Sequence, residues 1–199
     1  EYIYRAVKVK KGNYLAFFPS YKFMEQVYDK MMEQLEQSGD EIECIMQSHF
    51  MNEEAREIFL ENFEDERMES LVGFCVLGGI FSEGIDLAEE RLIGAFIVGT
   101  GLPQVCNERE ILKQYFEKKG LRGFDYAYLY PGMNKVLQAA GRVIRTEEDQ
   151  GIVLLLDDRF REKRCRESFP KEWKDCAYCR LENVEASVRN FWDKRKSTP

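Results

Sequence analysis

Three observations predict an α/β fold with a parallel sheet flanked by helices. Residues 71–77, 92–98 and 152–156 are unbroken apolar runs, the pattern of strands covered on both faces. Between the runs lie stretches whose apolar residues recur at helical spacing. Glycine, proline and serine clusters mark the turns between them. Alternation of this kind gives parallel strands joined by crossovers.

Each element has its own justification. Residues 1–13 read as a polar entry with a strand around residues 2–9, closed by the turn signal Lys11-Gly12-Asn13. Residues 14–18 form a short buried strand, ended by Pro19-Ser20. Ser20 then caps a helix over 21–37, where Phe23, Val27, Met31 and Leu35 recur at four-residue steps and Gly39 stops the helix. A strand at 43–47 follows, and Asn52 caps a second helix with Ala55, Ile58, Phe59 and Phe63 on one face. The run at 71–77 leads into a glycine-rich loop, and the run at 92–98 precedes a helix over 108–118. A further helix is expected over residues 130–146, before the strand at 152–156. Beyond Asp157 a basic cluster (Arg159, Arg161, Lys163, Arg164, Arg166) and the Phe169-Pro170 break lead to an amphipathic helix over 182–192 and a basic tail.

A chain of 199 residues with 44% hydrophobic content fits one domain with its own core. The division expected is a core over about residues 14–160 and a helical extension over about 161–199. No apolar run is long enough to cross a bilayer and the first residues lack a signal-peptide layout, so no membrane partner and a cytoplasmic location are expected. Six scattered cysteines in a chain this long point to reduced thiols rather than disulfides. Net charge is −7, unevenly spread: residues 25–69 hold 15 Asp/Glu against three Lys/Arg, leaving the remainder at +5. That segment is a poor phosphate-facing surface, and nucleic-acid affinity of this chain alone should be low.

The stretch with most chemistry in it is Gln138-Ala139-Ala140-Gly141-Arg142-Val143-Ile144-Arg145. On a helix, Gln138, Arg142 and Arg145 fall at spacings of four and three and share one face. Guanidiniums are fork-shaped and always charged, which suits them to the charge that spreads over phosphoryl oxygens in a transition state. Helical periodicity alone is met equally well by a solvated arginine face.

Gln-x-x-Gly-Arg-x-x-Arg running into an apolar strand that ends in Asp-Asp-Arg-Phe resembles motif VI of superfamily 2 helicases, in detail the XPD/DinG-like branch, bacterial DinG-like. Two earlier stretches fit in the right order: residues 15–21, Leu-Ala-Phe-Phe-Pro-Ser-Tyr, resemble motif IV, and residues 78–87, Gly-Gly-Ile-Phe-Ser-Glu-Gly-Ile-Asp-Leu, resemble motif V. Val98-Gly99-Thr100-Gly101-Leu102-Pro103 resembles the segment this branch carries after motif V.

The resemblance implies a RecA-like (P-loop NTPase-like) fold and a place in an ATP-dependent DNA helicase that works in DNA repair and translocates 5′ to 3′ on single-stranded DNA. It makes Arg142 and Arg145 arginine fingers, presented to ATP held by a partner N-terminal RecA-like domain, with Gln138 ordering the cleft. Glu83, Gly84 and Asp86 would link nucleotide to DNA, with Asp86 near the ribose. Ser20, Tyr21 and Ser82 would contact single-stranded DNA phosphates, although Ser20 serves equally as a plain helix cap. Motifs IV, V and VI are all expected at carboxyl ends of parallel strands, where open α/β sheets bind ligands.

The sequence has no Gly-x-x-x-x-Gly-Lys-Ser/Thr loop and no strand leading into an Asp-Glu-x-His metal site. The chain therefore reads as the C-terminal half of a motor, with ATP and Mg bound mainly by the N-terminal half and little activity by itself. Cys165, Cys176 and Cys179 lack a nearby fourth ligand, since the only histidine is His49, so no metal site is expected. His49 reads as a surface residue. The alternative function is a non-catalytic nucleic-acid-binding or regulatory module that keeps the fold.

Overall fold

The computed structural model describes residues 1–63, 68–81, 92–144 and 149–196. Five parallel strands, β1 (Asn13–Phe18), β2 (Ile42–Met46), β3 (Ser70–Val76), β4 (Gly94–Val98) and β5 (Ile152–Leu156), lie in the order β2-β3-β1-β4-β5. Every strand pair is parallel. The α/β class expected from the sequence is the class observed.

Side chains alternate across a pleated strand, and β1 uses both faces. Leu15 and Phe17 join the layer that holds Phe59 and Phe63 with Met133, Val136 and Ala139; the first two come from α3 (Glu53–Glu61) and its exit, the last three from α5 (Tyr130–Ala140). Tyr14, Ala16 and Phe18 join the opposite layer. There they meet Met24, Met31 and Leu35 of α2 (Tyr21–Ser38), residues of α1 (Tyr2–Val7), and Val184, Val188 and Trp192 of α7 (Val184–Lys196). All six residues of β1 are buried, which is why this strand reads as continuous apolar sequence.

Both expected helix caps are present. The Ser20 hydroxyl oxygen accepts the Phe23 N–H at 3.3 Å, and the Asn52 side-chain oxygen accepts the Ala55 N–H at 2.9 Å. Gly39 ends α2 in the left-handed conformation at φ 69°, where a side chain would be strained. α4 (Asn107–Lys118) is close to its expected span.

Three expectations need correction. The N-terminal segment is helical over Tyr2–Val7, not a strand. Tyr-Ile-Tyr looks β-prone, but Ile3, Tyr4, Ala6 and Val7 sit at helical spacing and pack on α7, so tertiary burial overrides local propensity. The apolar face of α2 is rotated: Phe23 is 41% exposed, whereas Met24 is fully buried. Four-residue steps drift by about 40° each on a helix of 3.6 residues per turn, so 23/27/31/35 cannot be one straight face. In α3, Ile58 is exposed because it stands about 100° around the helix from the buried Phe59.

The third correction concerns the helix expected over residues 130–146. It begins with a π-helical turn at Asp125–Leu129, continues as α5, and stops at Ala140. Gly141 takes the cap position, and Arg142 and Val143 follow in a tighter turn, their N–H groups donating to the Ala139 and Ala140 carbonyls. Val143 is held there by packing so close to Gly151 that a β-carbon on the glycine would overlap it.

Candidate functional site

The chain leaves β1 toward β3 and β2, and leaves β4 toward β5, so a topological switch point lies between β1 and β4. Two loops meet there. Pro19-Ser20 follows β1, and Gly99-Thr100-Gly101 follows β4; a β-carbon on Gly99 would stand 3.6 Å from the Pro19 ring. Gly99 and Gly101 have φ of 83° and 65°, which lets the backbone double back. Thr100 is 1% exposed, and its Oγ1 has no hydrogen-bond partner among the described residues.

Around this crevice the carboxyl edge is stiffened by one buried amide. Gln47, 3% exposed, follows β2. Its backbone N–H donates to the Phe74 carbonyl at 2.8 Å, its Oε1 accepts the Val76 N–H at 2.9 Å, and its Nε2 donates to the Tyr21 hydroxyl at 2.9 Å. A single residue therefore ties together the ends of β2 and β3 and, through its side chain, the start of α2. Nothing in the linear pattern singled out Gln47, because a lone glutamine after a strand carries no signal until its partners are known.

α5 spans the height of the sheet. At its start, Gly132 abuts the switch-point loop: a β-carbon there would come within 2.7 Å of the Thr100 carbonyl oxygen and 3.0 Å of Leu102 N. Lys135, one turn on, lies across Gly78 of the loop after β3. The turn after α5 instead meets Gly151, just before β5, which in turn lies against Ile93, just before β4. Eleven helical residues rise about 16 Å, close to the length of a five-residue strand. Gln138 is exposed and Arg142 half-buried. The described part of motif VI, residues 138–144, thus approaches the amino edge of the sheet, not the carboxyl edge as expected, because α5 precedes β5 and must deliver the chain to the start of that strand. Ser20 and Tyr21 are at the carboxyl edge, as expected. Ser82, Glu83, Gly84, Asp86 and Arg145 lie outside the described residues.

Two of the five cations in the basic cluster after β5, Arg159 and Arg164, are held in ion pairs. Arg159 makes a two-pronged ion pair with Asp157 at 2.7 and 2.9 Å, which holds the Asp157 carboxyl below its usual range. Arg164 and Arg122 approach the fully buried Asp125 at 3.0 and 2.7 Å. These contacts are too short to be anything but ion pairs, although their angles fall short of good hydrogen bonds. Arg122 also bonds Glu167 at 3.0 Å. This network joins the root of α5 to α6 (Lys163–Arg166) and borders a half-open cavity of about 270 Å³. Cys165 is buried, Cys179 half-buried and Cys176 exposed. No group of three or more His, Cys, Asp or Glu among the described residues is arranged to hold a metal ion. No described helix is long and apolar enough to cross a membrane.

The profile of the helicase C-terminal domain family matches residues 3–176. The chain belongs to that family. This helicase C-terminal domain is 28% identical over 160 residues to a probable ATP-dependent helicase of Methanocaldococcus jannaschii, which covers 75% of the chain and 24% of the relative. It is 28% identical over 194 residues to the ATP-dependent DNA helicase CHL1 of Coccidioides immitis, covering 83% of the chain and 22% of that protein. The domain spans about a quarter or less of the length of the curated relatives it matches. Among solved structures, an apo XPD superimposes with a TM-score of 0.63 at 24% identity over 84% of this chain and 33% of the other, a likeness of fold.

Within this helicase domain, the residues resembling motif IV and the segment after motif V form the switch-point crevice. α5, which leads into the residues resembling motif VI, runs from that crevice toward the far edge. Gln47, Gly132 and Lys135 are the residues that sequence reasoning passed over.

Proposed function

We propose that this domain is the C-terminal motor half of an ATP-dependent DNA helicase that translocates on single-stranded DNA. The observation that carries the reading is the course of α5. It ties the crevice of motif IV, where DNA would lie, to the arginine segment of motif VI, which would face a nucleotide on the neighbouring lobe. Ser20, Tyr21 and Ser82 contact the strand. Ser20 keeps its hydroxyl proton free to donate to a phosphate, since its oxygen is used as the acceptor in the cap. Glu83, Gly84 and Asp86 couple strand and nucleotide. Arg142 and Arg145 act as arginine fingers and Gln138 orders the cleft.

ATP and Mg are held mainly by an N-terminal RecA-like half; the described residues of this chain offer no carboxylate cluster for the metal. The chain is one RecA-like unit with a core over about residues 14–160 and a helical extension after it, and by itself it hydrolyses ATP negligibly. Its share of the chemistry is placing positive charge and gripping DNA.

The reading is tested by adding the N-terminal half, with its phosphate loop, to this chain and measuring ATP hydrolysis with and without single-stranded DNA. Hydrolysis stimulated by DNA only when both halves are present is the expected result. Hydrolysis no greater than that of the N-terminal half alone would favour a non-catalytic binding module.

A further inference from the structure

The only histidine of the chain is more constrained than a surface residue needs to be. The His49 ring stacks on Tyr21 with centroids 4.1 Å apart and an interplanar angle of 21°. Its Nε2 lies 2.8 Å from Glu25 Oε1, one turn along α2 from Tyr21. Tyr21 is itself tethered at its hydroxyl by the buried Gln47. The His49 side chain nevertheless remains 54% exposed. Beside it Phe50 is 96% exposed, in a turn that the Ser48 hydroxyl closes by donating to the Phe50 carbonyl at 2.8 Å. Two planar rings are thus clamped parallel at the carboxyl edge, with a third aromatic ring next to them in solvent.

Fixed, exposed aromatic faces suit nucleobase stacking, which every base can satisfy. The surrounding charge sharpens this. α2 and α3 present acidic outer faces, which repel a phosphate backbone, so a strand held at Ser20 would turn its bases, not its phosphates, toward His49.

We propose that His49 and Tyr21 form a base-stacking platform for single-stranded nucleic acid, with His49 the outer ring and Gln47 and Glu25 as positioning residues. The proposal rests on the reading that the carboxyl edge meets single-stranded DNA. It adds a contact from the β2 loop, outside the motifs, and separates base recognition from phosphate recognition.

The test is a fluorescence-anisotropy titration of the full-length protein, at low salt, with oligothymidylate and with an abasic oligonucleotide of equal length. Wild type is expected to prefer the base-bearing strand by about 5- to 100-fold. His49→Ala should bring the two affinities within about 2-fold by weakening oligothymidylate alone, and His49→Phe should retain the preference. Because the residue is exposed, thermal melting of both variants should match wild type. A His49→Ala protein that keeps the wild-type preference, or that loses both strands equally, would overturn the platform while leaving the DNA-binding reading intact. Wild-type binding to neither strand would overturn both.

Discussion

Gly132→Ala inverts the usual effect of such a change. In a helix, alanine is ordinarily favoured over glycine by about 1 kcal/mol. At Gly132 the new β-carbon would face three backbone atoms: the Thr100 oxygen at 2.7 Å, Leu102 N at 3.0 Å and Gly101 C at 3.1 Å. Ordinary contact needs at least 3.4 Å, so α5 must move off the switch-point loop by about 0.5 Å or more. No flexible side chain can absorb the shift. Overpacking against rigid surroundings costs about 1–3 kcal/mol, and backbone on both sides places this site at the upper end. Less the helical gain, about 2 kcal/mol of destabilisation remains, which for a domain of this size lowers Tm by about 4–8 °C. Differential scanning fluorimetry of Gly132→Ala beside the exposed control Gln114→Ala provides the assay. A Tm equal to or above wild type would refute the close approach of α5 to this loop, and with it the coupling of crevice to arginine segment.

Two further outcomes follow from local chemistry. The Asp40 carboxylate accepts a hydrogen bond from Tyr4 and pairs with Lys8 at 3.0 Å, and these contacts, Tyr4 first, lower its pKa to about 2. A folded value below the unfolded one, about 3.9, adds stability above pH 4 that is lost as pH falls toward 2. Asp40→Asn should therefore flatten acid-induced unfolding in that window, and an unchanged acid limb would contradict the pairing. The Cys44 thiol is pushed up to about 12, chiefly by burial and next by Glu43, and burial raises Cys75 well above its ordinary value. At pH 8 iodoacetamide should modify the exposed Cys106 and Cys176 well before Cys44 or Cys75. Equal labelling of Cys44 and Cys106, read by peptide mass spectrometry, would contradict the burial.

What could be read in advance follows a physical divide. β1, β3 and β4 are legible because a strand buried on both faces has few polar positions to blur it. The caps Ser20 and Asn52 were legible because their chemistry is local. α1 is not legible because Tyr-Ile-Tyr carries no sign of the α7 surface it packs on. The end of α5 is not legible because it is set by Val143 meeting Gly151, a contact across the fold. The same holds for Gln47 and Gly132, whose importance lies wholly in what they touch. His49 looked isolated in sequence, 28 residues from the tyrosine on which it stacks. The expected placement of motif VI failed on topology: a helix that leads into a parallel strand must end where that strand starts.

The central claim is that this domain supplies the arginine fingers of a motor. The measurement that tests it most directly is DNA-stimulated ATP hydrolysis by the full-length protein, comparing wild type with Arg142→Ala and Arg145→Ala, alongside single-stranded DNA affinity. A loss of hydrolysis on the order of 10³-fold with DNA affinity retained is the predicted result. Unchanged hydrolysis in both variants would contradict the claim.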